Sequence, residues 1–141
     1  MSAVLLELHD VSRAFGGLRA VHKVSLQVPA GSLSALIGPN GAGKTTLFAL
    51  MSGFLSPDAG HILFDGVNIT GRPAHLNARA GMARTFQIVQ PFAAQTVRDN
   101  IAVGAHLHHA SREQALAAAQ AVAQRVGLAH WLDKQIGRAH V

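Results

Sequence analysis

The stretch GPNGAGKTT, residues 38–46, restricts what this chain can fold into more than any other. It fits G-x-x-x-x-G-K-[ST], in which glycines let the backbone wrap closely with its N–H groups pointing inward, in dihedrals that a Cβ resists. Such a loop belongs between an apolar strand and a helix. Here the apolar run SLSALI, residues 32–37, leads straight into Gly38 and is expected to be that strand. After Lys44 the pattern becomes helical, with Leu47, Phe48, Leu50 and Met51, and Gly53 stops it. The helix start adds the positive end of its dipole. In a loop of this kind Lys44 reaches the β- and γ-phosphates of a nucleotide and the Thr45 hydroxyl ligates Mg²⁺. A glycine-rich turn with a chance lysine is the plain alternative, and it does not account for the flanking strand and helix patterns.

The surrounding pattern is mixed. Leu5, Leu6 and Leu8 around Glu7 read as a short strand, and Val24, Leu26 and Val28 alternate with Ser25 and Gln27 until Pro29. His61–Phe64 and Val67–Ile69 flank Asp65-Gly66, a hairpin dipeptide. Asp65 after an apolar run mimics a Mg²⁺-binding aspartate, but the residue that follows is Gly66 rather than Glu, and a turn is the better reading. Residues 76–81 suit a short helix and Ala83–Phe86 a short strand. Thr96 with Asp99, and Ser111 with Gln114, mark two helix starts. The second helix is expected to present Leu116, Ala119, Val122, Ala123 and Val126 on one face and to end at Gly127.

Composition narrows the function classes. Hydrophobic residues make up 49% of the 141 and charged residues only 13%, against about 25% charged in soluble domains, which fits a piece of a larger assembly. The nine Arg and three Lys are scattered singly, and the chain has one Trp and no Tyr, so the formal charge of +5 does not indicate a nucleic-acid partner. No cysteine means no disulfide framework. The N-terminus lacks a basic leader with a long apolar run, and the densest apolar stretch, residues 48–55, is far shorter than the ~20 residues that span a bilayer. A soluble or peripheral protein is expected. His106, His108 and His109 lack the i, i+4 spacing of a helical metal site and read as a solvated cluster.

With RAFGGLRAV, IGPNGAGKTTLFALMSGFLSPDAGHILFDGVNIT and GMARTFQIVQPFAAQTVRDNIAVGA on the page, the chain resembles the ATP-binding subunit of an ABC transporter over most of residues 4–133. The segment RTFQIVQPF resembles the branched-chain amino acid importers in particular. The resemblance implies an α/β fold: a P-loop NTPase core of the ABC ATPase type with an antiparallel β subdomain and the start of an α-helical subdomain, truncated. It divides residues 1–135 into core and β subdomain (1–93) and the start of the helical subdomain (94–135).

The resemblance also implies roles. Gly38, Asn40, Gly41, Gly43, Lys44, Thr45 and Thr46 would hold ATP phosphates and Mg²⁺. On local sequence alone Phe15 reads as an ordinary core residue and Gln87 as a polar residue ending a strand. The resemblance instead makes Phe15 the ring that stacks on adenine and Gln87 the residue that touches Mg²⁺ or the attacking water and senses the γ-phosphate. Lys44 and Gln87 are thus the catalytic candidates, and residues 88–96 fall where such ATPases meet the membrane subunit. Implied partners are membrane-spanning permease subunits, a second ATPase subunit, identical or not, and indirectly a substrate-binding protein outside the membrane, with no nucleic acid. The location is peripheral, at the cytoplasmic face of the membrane.

Phosphoryl transfer also needs an acidic residue on Mg²⁺ and a group that orients water. No LSGGQ-type signature and no apolar strand ending Asp-Glu occurs in these residues. The last six, IGRAHV, read as a translated sequencing-library adaptor, so residues 136–141 are expected to be non-native. The expectation is a chain that binds Mg-ATP without turning it over. A nucleotide-binding regulatory module and an ABC ATPase for another substrate are the alternatives. A kinase with the same loop is a third, against which the ARTFQ segment argues.

Overall fold

The long first strand, β1 (Val4–Phe15), is the spine of the first half of the molecule in a computed structural model that describes residues 3–138. It pairs antiparallel on one side with β2 (Leu18–Pro29) and on the other with β3 (Ala59–Phe64), which turns back into β4 (Val67–Asn68). The sheet order is β2-β1-β3-β4. Helix α1 (Lys44–Met51) supplies Leu47 and Leu50 to a core with Leu8, Val11, Val21, Ile62 and Ile69. Each buried aliphatic side chain of this kind stabilises by about 1.5–3 kcal/mol relative to exposure. Helix α2 (Ala74–Arg79) follows the hairpin.

Leu8 and Val11 both face that core although three residues apart, which a strict period of two forbids. A bulge resolves the conflict. The register of β1 shifts between Leu8 and Val11, with Asp10 at φ 48°, and Lys23 on β2 has φ 46°. Two serines stand in for the missing ladder partners: Ser25 Oγ accepts from the Asp10 N–H at 2.9 Å, and Ser12 Oγ accepts from the Lys23 N–H at 2.8 Å. The hairpin at Asp65-Gly66 forms as read from the sequence, with positive φ at both residues, so Asp65 is a turn residue.

Two expected strands do not form. Residues 32–39 carry no regular structure, and Leu33 and Ile37 are 102% and 91% exposed. The physical reason is that a strand exists only through its neighbours, and every strand pair among the described residues is antiparallel and lies elsewhere. Apolar sequence alone cannot satisfy the backbone. Ala83–Phe86 likewise forms no strand.

The chain divides into two units, residues 1–84 and 85–141. In the second, α3 (Val97–Ala105) and α4 (Arg112–Arg125) pack as a pair. Both starts are capped as read: Thr96 Oγ1 accepts from the Asp99 N–H, and Ser111 Oγ accepts from the Gln114 N–H. Two further N–H groups at the start of α3, on Val97 and Arg98, donate to the carbonyls of Lys134 and Leu132, so the chain beyond α4 closes that end.

The buried face of α4 is in part the expected one: Ala119 and Ala123 are buried and Leu116 packs against the cluster, but Ala115 joins them, while Val122 and Val126 are 46% and 61% exposed. Methyl side chains allow Ala102 of α3 to approach closely, which the larger residues would prevent. Short 3₁₀ turns at Ala129–Trp131 and Ile136–Arg138 complete the unit. The first half of the tail expected to be non-native therefore takes part in a turn, and residues 139–141 lie outside the described residues.

Candidate phosphate-binding site

Gly43 fixes how the loop enters the helix. It is the N-cap of α1 at φ 84°, a left-handed conformation that a side chain resists. A Cβ there would also overlap the carbonyl oxygen of Ala20 on β2. Glycine is thus required twice, once for its dihedral and once for close approach to the sheet. Gly41 shares φ 84°, with open space around it. Gly38 is not in the left-handed region, and a Cβ there would touch Ala42 at 3.4 Å.

No side chain caps the N-terminus of α1, and its first turn holds no acidic residue. The N–H groups at that end and the positive dipole end therefore lack an anionic side chain of their own. Lys44 Nζ donates to the carbonyls of Gly38 and Pro39, at 2.6 Å each. An ammonium has three donors, so two hold it across the loop and one remains. Thr45, in the first turn, is exposed, and Thr46 beside it is half-buried. Asn40 is exposed at the loop turn. A cradle of positive-φ glycines, an uncapped helix start, an ammonium and a hydroxyl suits a polyphosphate with a hard divalent cation. Among the described residues no three His, Asp or Glu side chains gather as a metal site.

The sheet brings Phe15 to the same end of the first unit. Phe15 closes β1 opposite Leu18, two residues along β2 from the Ala20 that Gly43 touches. Its ring is 44% exposed, and the Arg13 guanidinium carbon lies 5.1 Å from its centroid. Phe15 is a half-exposed surface ring and not the core residue that local sequence favours. Arg13 and Asp58, which touch this corner, were missed by sequence reasoning. They stand 45 residues apart, and no spacing rule links them.

Gln87 belongs to the second unit, in an exposed bend. The residues after it expose apolar surface, with Ile88 81%, Val89 74% and Phe92 58% exposed. A groove of about 350 Å³ in that unit is walled by Phe92, Ala102, Val103 and Leu116, with Asp99 and Arg112 paired at 3.6 Å on its lining.

Comparison with known proteins places this arrangement. The family described as ABC transporter matches residues 21–140, a segment that begins after Phe15. Over 108 residues the chain is 45% identical to the high-affinity branched-chain amino acid transport ATP-binding protein BraF of Pseudomonas aeruginosa, covering 77% of this chain and 42% of that protein. Identity to the corresponding protein LivG of Escherichia coli is 43% over 106 residues, covering 75% and 42%. A solved nucleotide-free ATP-binding cassette from an ABC transporter superposes with a TM-score of 0.83 at 28% identity, covering 96% of this chain and 59% of that one. The matched region is thus about two fifths of the length of these curated relatives.

Proposed function

The chain belongs to the ABC transporter family, and from that premise we propose that it is the nucleotide-binding part of an ATPase subunit that powers an importer. Branched-chain amino acids are the proposed cargo, because the relatives BraF and LivG carry that description. The observation that carries the reading is the loop itself: Gly41 and Gly43 at positive φ, Lys44 across the loop carbonyls, and an uncapped α1 beyond.

In this reading the backbone of Gly38, Asn40, Gly41 and Gly43 and the start of α1 at Thr46 surround the phosphates. Lys44 offers its free N–H to the β- and γ-phosphates, and the Thr45 hydroxyl is a protein ligand to Mg²⁺. When bound, Mg²⁺ supplies charge neutralisation across the phosphate oxygens. Phe15 stacks on the adenine, and Gln87 senses the γ-phosphate as a ligand or water-orienting group. Residues 1–93 act as core and β subdomain and 94–135 as the start of the helical subdomain.

The partners follow from the same premise: permease subunits in the membrane, a second ATPase subunit and, through the permease, a substrate-binding protein. The exposed apolar residues Ile88, Val89 and Phe92 suit the permease contact. Among the described residues no helix is long and apolar enough to cross a membrane; the place proposed from the family is peripheral, at the cytoplasmic face. A signature segment and an apolar strand ending Asp-Glu are absent from these residues, so the 141-residue chain holds Mg-ATP without hydrolysing it.

Titration calorimetry with Mg-ATP tests the binding. Lys44→Ala is expected to weaken it at least tenfold, the scale of a lost hydrogen bond to a charged group. Equal affinity in the two chains would overturn the site, and sustained phosphate release that disappears in Lys44→Ala would overturn the expectation of no turnover.

A further inference from the structure

The corner around Phe15 is more organised than a surface aromatic requires. Asp58 N–H donates to the Ser12 carbonyl at 2.9 Å, which fixes the residue against β1. One of its carboxylate oxygens, Oδ2, accepts from the Ala14 N–H at 2.8 Å, and the other, Oδ1, accepts from Arg13 Nη1 at 2.7 Å. The same Nη1 also reaches the Ser56 carbonyl at 3.1 Å. The guanidinium is therefore tethered from the β3 side while its carbon sits 5.1 Å from the Phe15 ring centroid, within cation–π range. Arg13 Nε is buried and has no hydrogen-bond partner. An arginine serving only an ion pair would keep that N–H wet. Here the guanidinium is held against the ring although one donor goes unsatisfied.

We propose that Arg13, held by Asp58, is a positioning residue for base recognition: it covers one face of Phe15 and fixes the ring so that its exposed remainder receives a purine. The proposal rests on the reading that Phe15 stacks on the base. Two physical effects support it. A ring already confined to one orientation loses less side-chain freedom when a base stacks on it. A cation on one face also draws electron density from the ring, which favours an electron-rich purine on the opposite face. Phe15 stands two residues along the sheet from the contact between Gly43 and Ala20, about 7 Å at ~3.3 Å per residue, so base and phosphate ends of one nucleotide address the same corner.

The test compares Mg-ATP with Mg-tripolyphosphate, which has the phosphates but no base, by calorimetry on the full 141-residue chain. Arg13→Gln is expected to weaken ATP about two- to fivefold, the range of an exposed to partly desolvated cation–π contact, and to leave tripolyphosphate unchanged. Arg13→Lys should restore part of the loss. In a Phe15→Ala background Arg13→Gln should have no further effect. Asp58→Asn, which retains an acceptor for Ala14 but cancels the ion pair, should act in the same direction as Arg13→Gln and serves if that variant melts early. Equal weakening of both ligands, or a full Arg13 effect without the Phe15 ring, would overturn the proposal. If Phe15→Ala shifts the ratio of the two affinities and Arg13→Gln does not, only the positioning role falls. If Phe15→Ala leaves the ratio unchanged, base stacking falls and the positioning role with it.

Discussion

Gly43 lies so close to the carbonyl oxygen of Ala20 that no side chain fits between the loop and β2. With φ at 84°, Gly43→Ala combines a left-handed dihedral with a backbone overlap. The expected cost is about 2–5 kcal/mol, adding ~1–2 for the dihedral to ~1–3 for overpacking. Urea denaturation of the first unit measures it. Gly41→Ala has the same dihedral in open space and should cost about 1–2 kcal/mol, so the difference between the two isolates the contact with Ala20.

Leu33 and Ile37 are almost fully exposed on a segment with no strand partner among the described residues. Apolar, unpaired backbone of this kind promotes association between chains. Leu33→Lys with Ile37→Glu is expected to raise the concentration at which light scattering appears. Since neither side chain packs in the core, stability should change by no more than about 0.5 kcal/mol. A large loss of stability would mean that the segment is covered in solution.

In α4 the buried stripe is Ala115, Ala119 and Ala123. Ala119→Leu should destabilise the α3–α4 pair by about 1–3 kcal/mol through overpacking. Val122→Ser, on the exposed side, should stay within about 0.5 kcal/mol. Thermal melts of both variants decide between this face and one that also buries Val122.

Asp99 gives the second unit an acid limb. The hydrogen bond from the Thr96 hydroxyl, 2.6 Å to Oδ2, is the main reason its carboxyl is held below the ordinary aspartate value of 3.8. The Thr96 backbone contact and the charges of Arg112 and Arg98 act in the same direction, and desolvation opposes them. A depressed carboxyl stabilises the fold fully above 3.8, and that contribution is lost as pH falls through the lower folded value. Helicity measured by circular dichroism should therefore decline on acidification below 3.8, and Asp99→Asn should flatten that part of the profile.

Some of this was legible locally. The glycines at 41 and 43, the caps at Thr96 and Ser111 and the turn at Asp65-Gly66 each depend on a few adjacent residues. Their conformations follow from short-range sterics and hydrogen bonds, which residue type announces. The bulge that lets Leu8 and Val11 share one face was not legible, because Ser25, fifteen residues from the Asp10 whose N–H it accepts, completes it. On α4 the sequence pointed to Ala119 and Ala123, but it missed Ala115 and wrongly added Val122 and Val126, because close helix approach favours the smallest side chains.

The sequence by itself determined the family and the left-handed glycines of the loop, since residue type at fixed spacing announces both. Tertiary structure decided which apolar runs became strands and which residues surround Phe15. SLSALI remained without a strand partner among the described residues, and Arg13 met Asp58 across 45 residues of chain. Pairing and side-chain contact are properties of two segments at once, and no single stretch of sequence contains both.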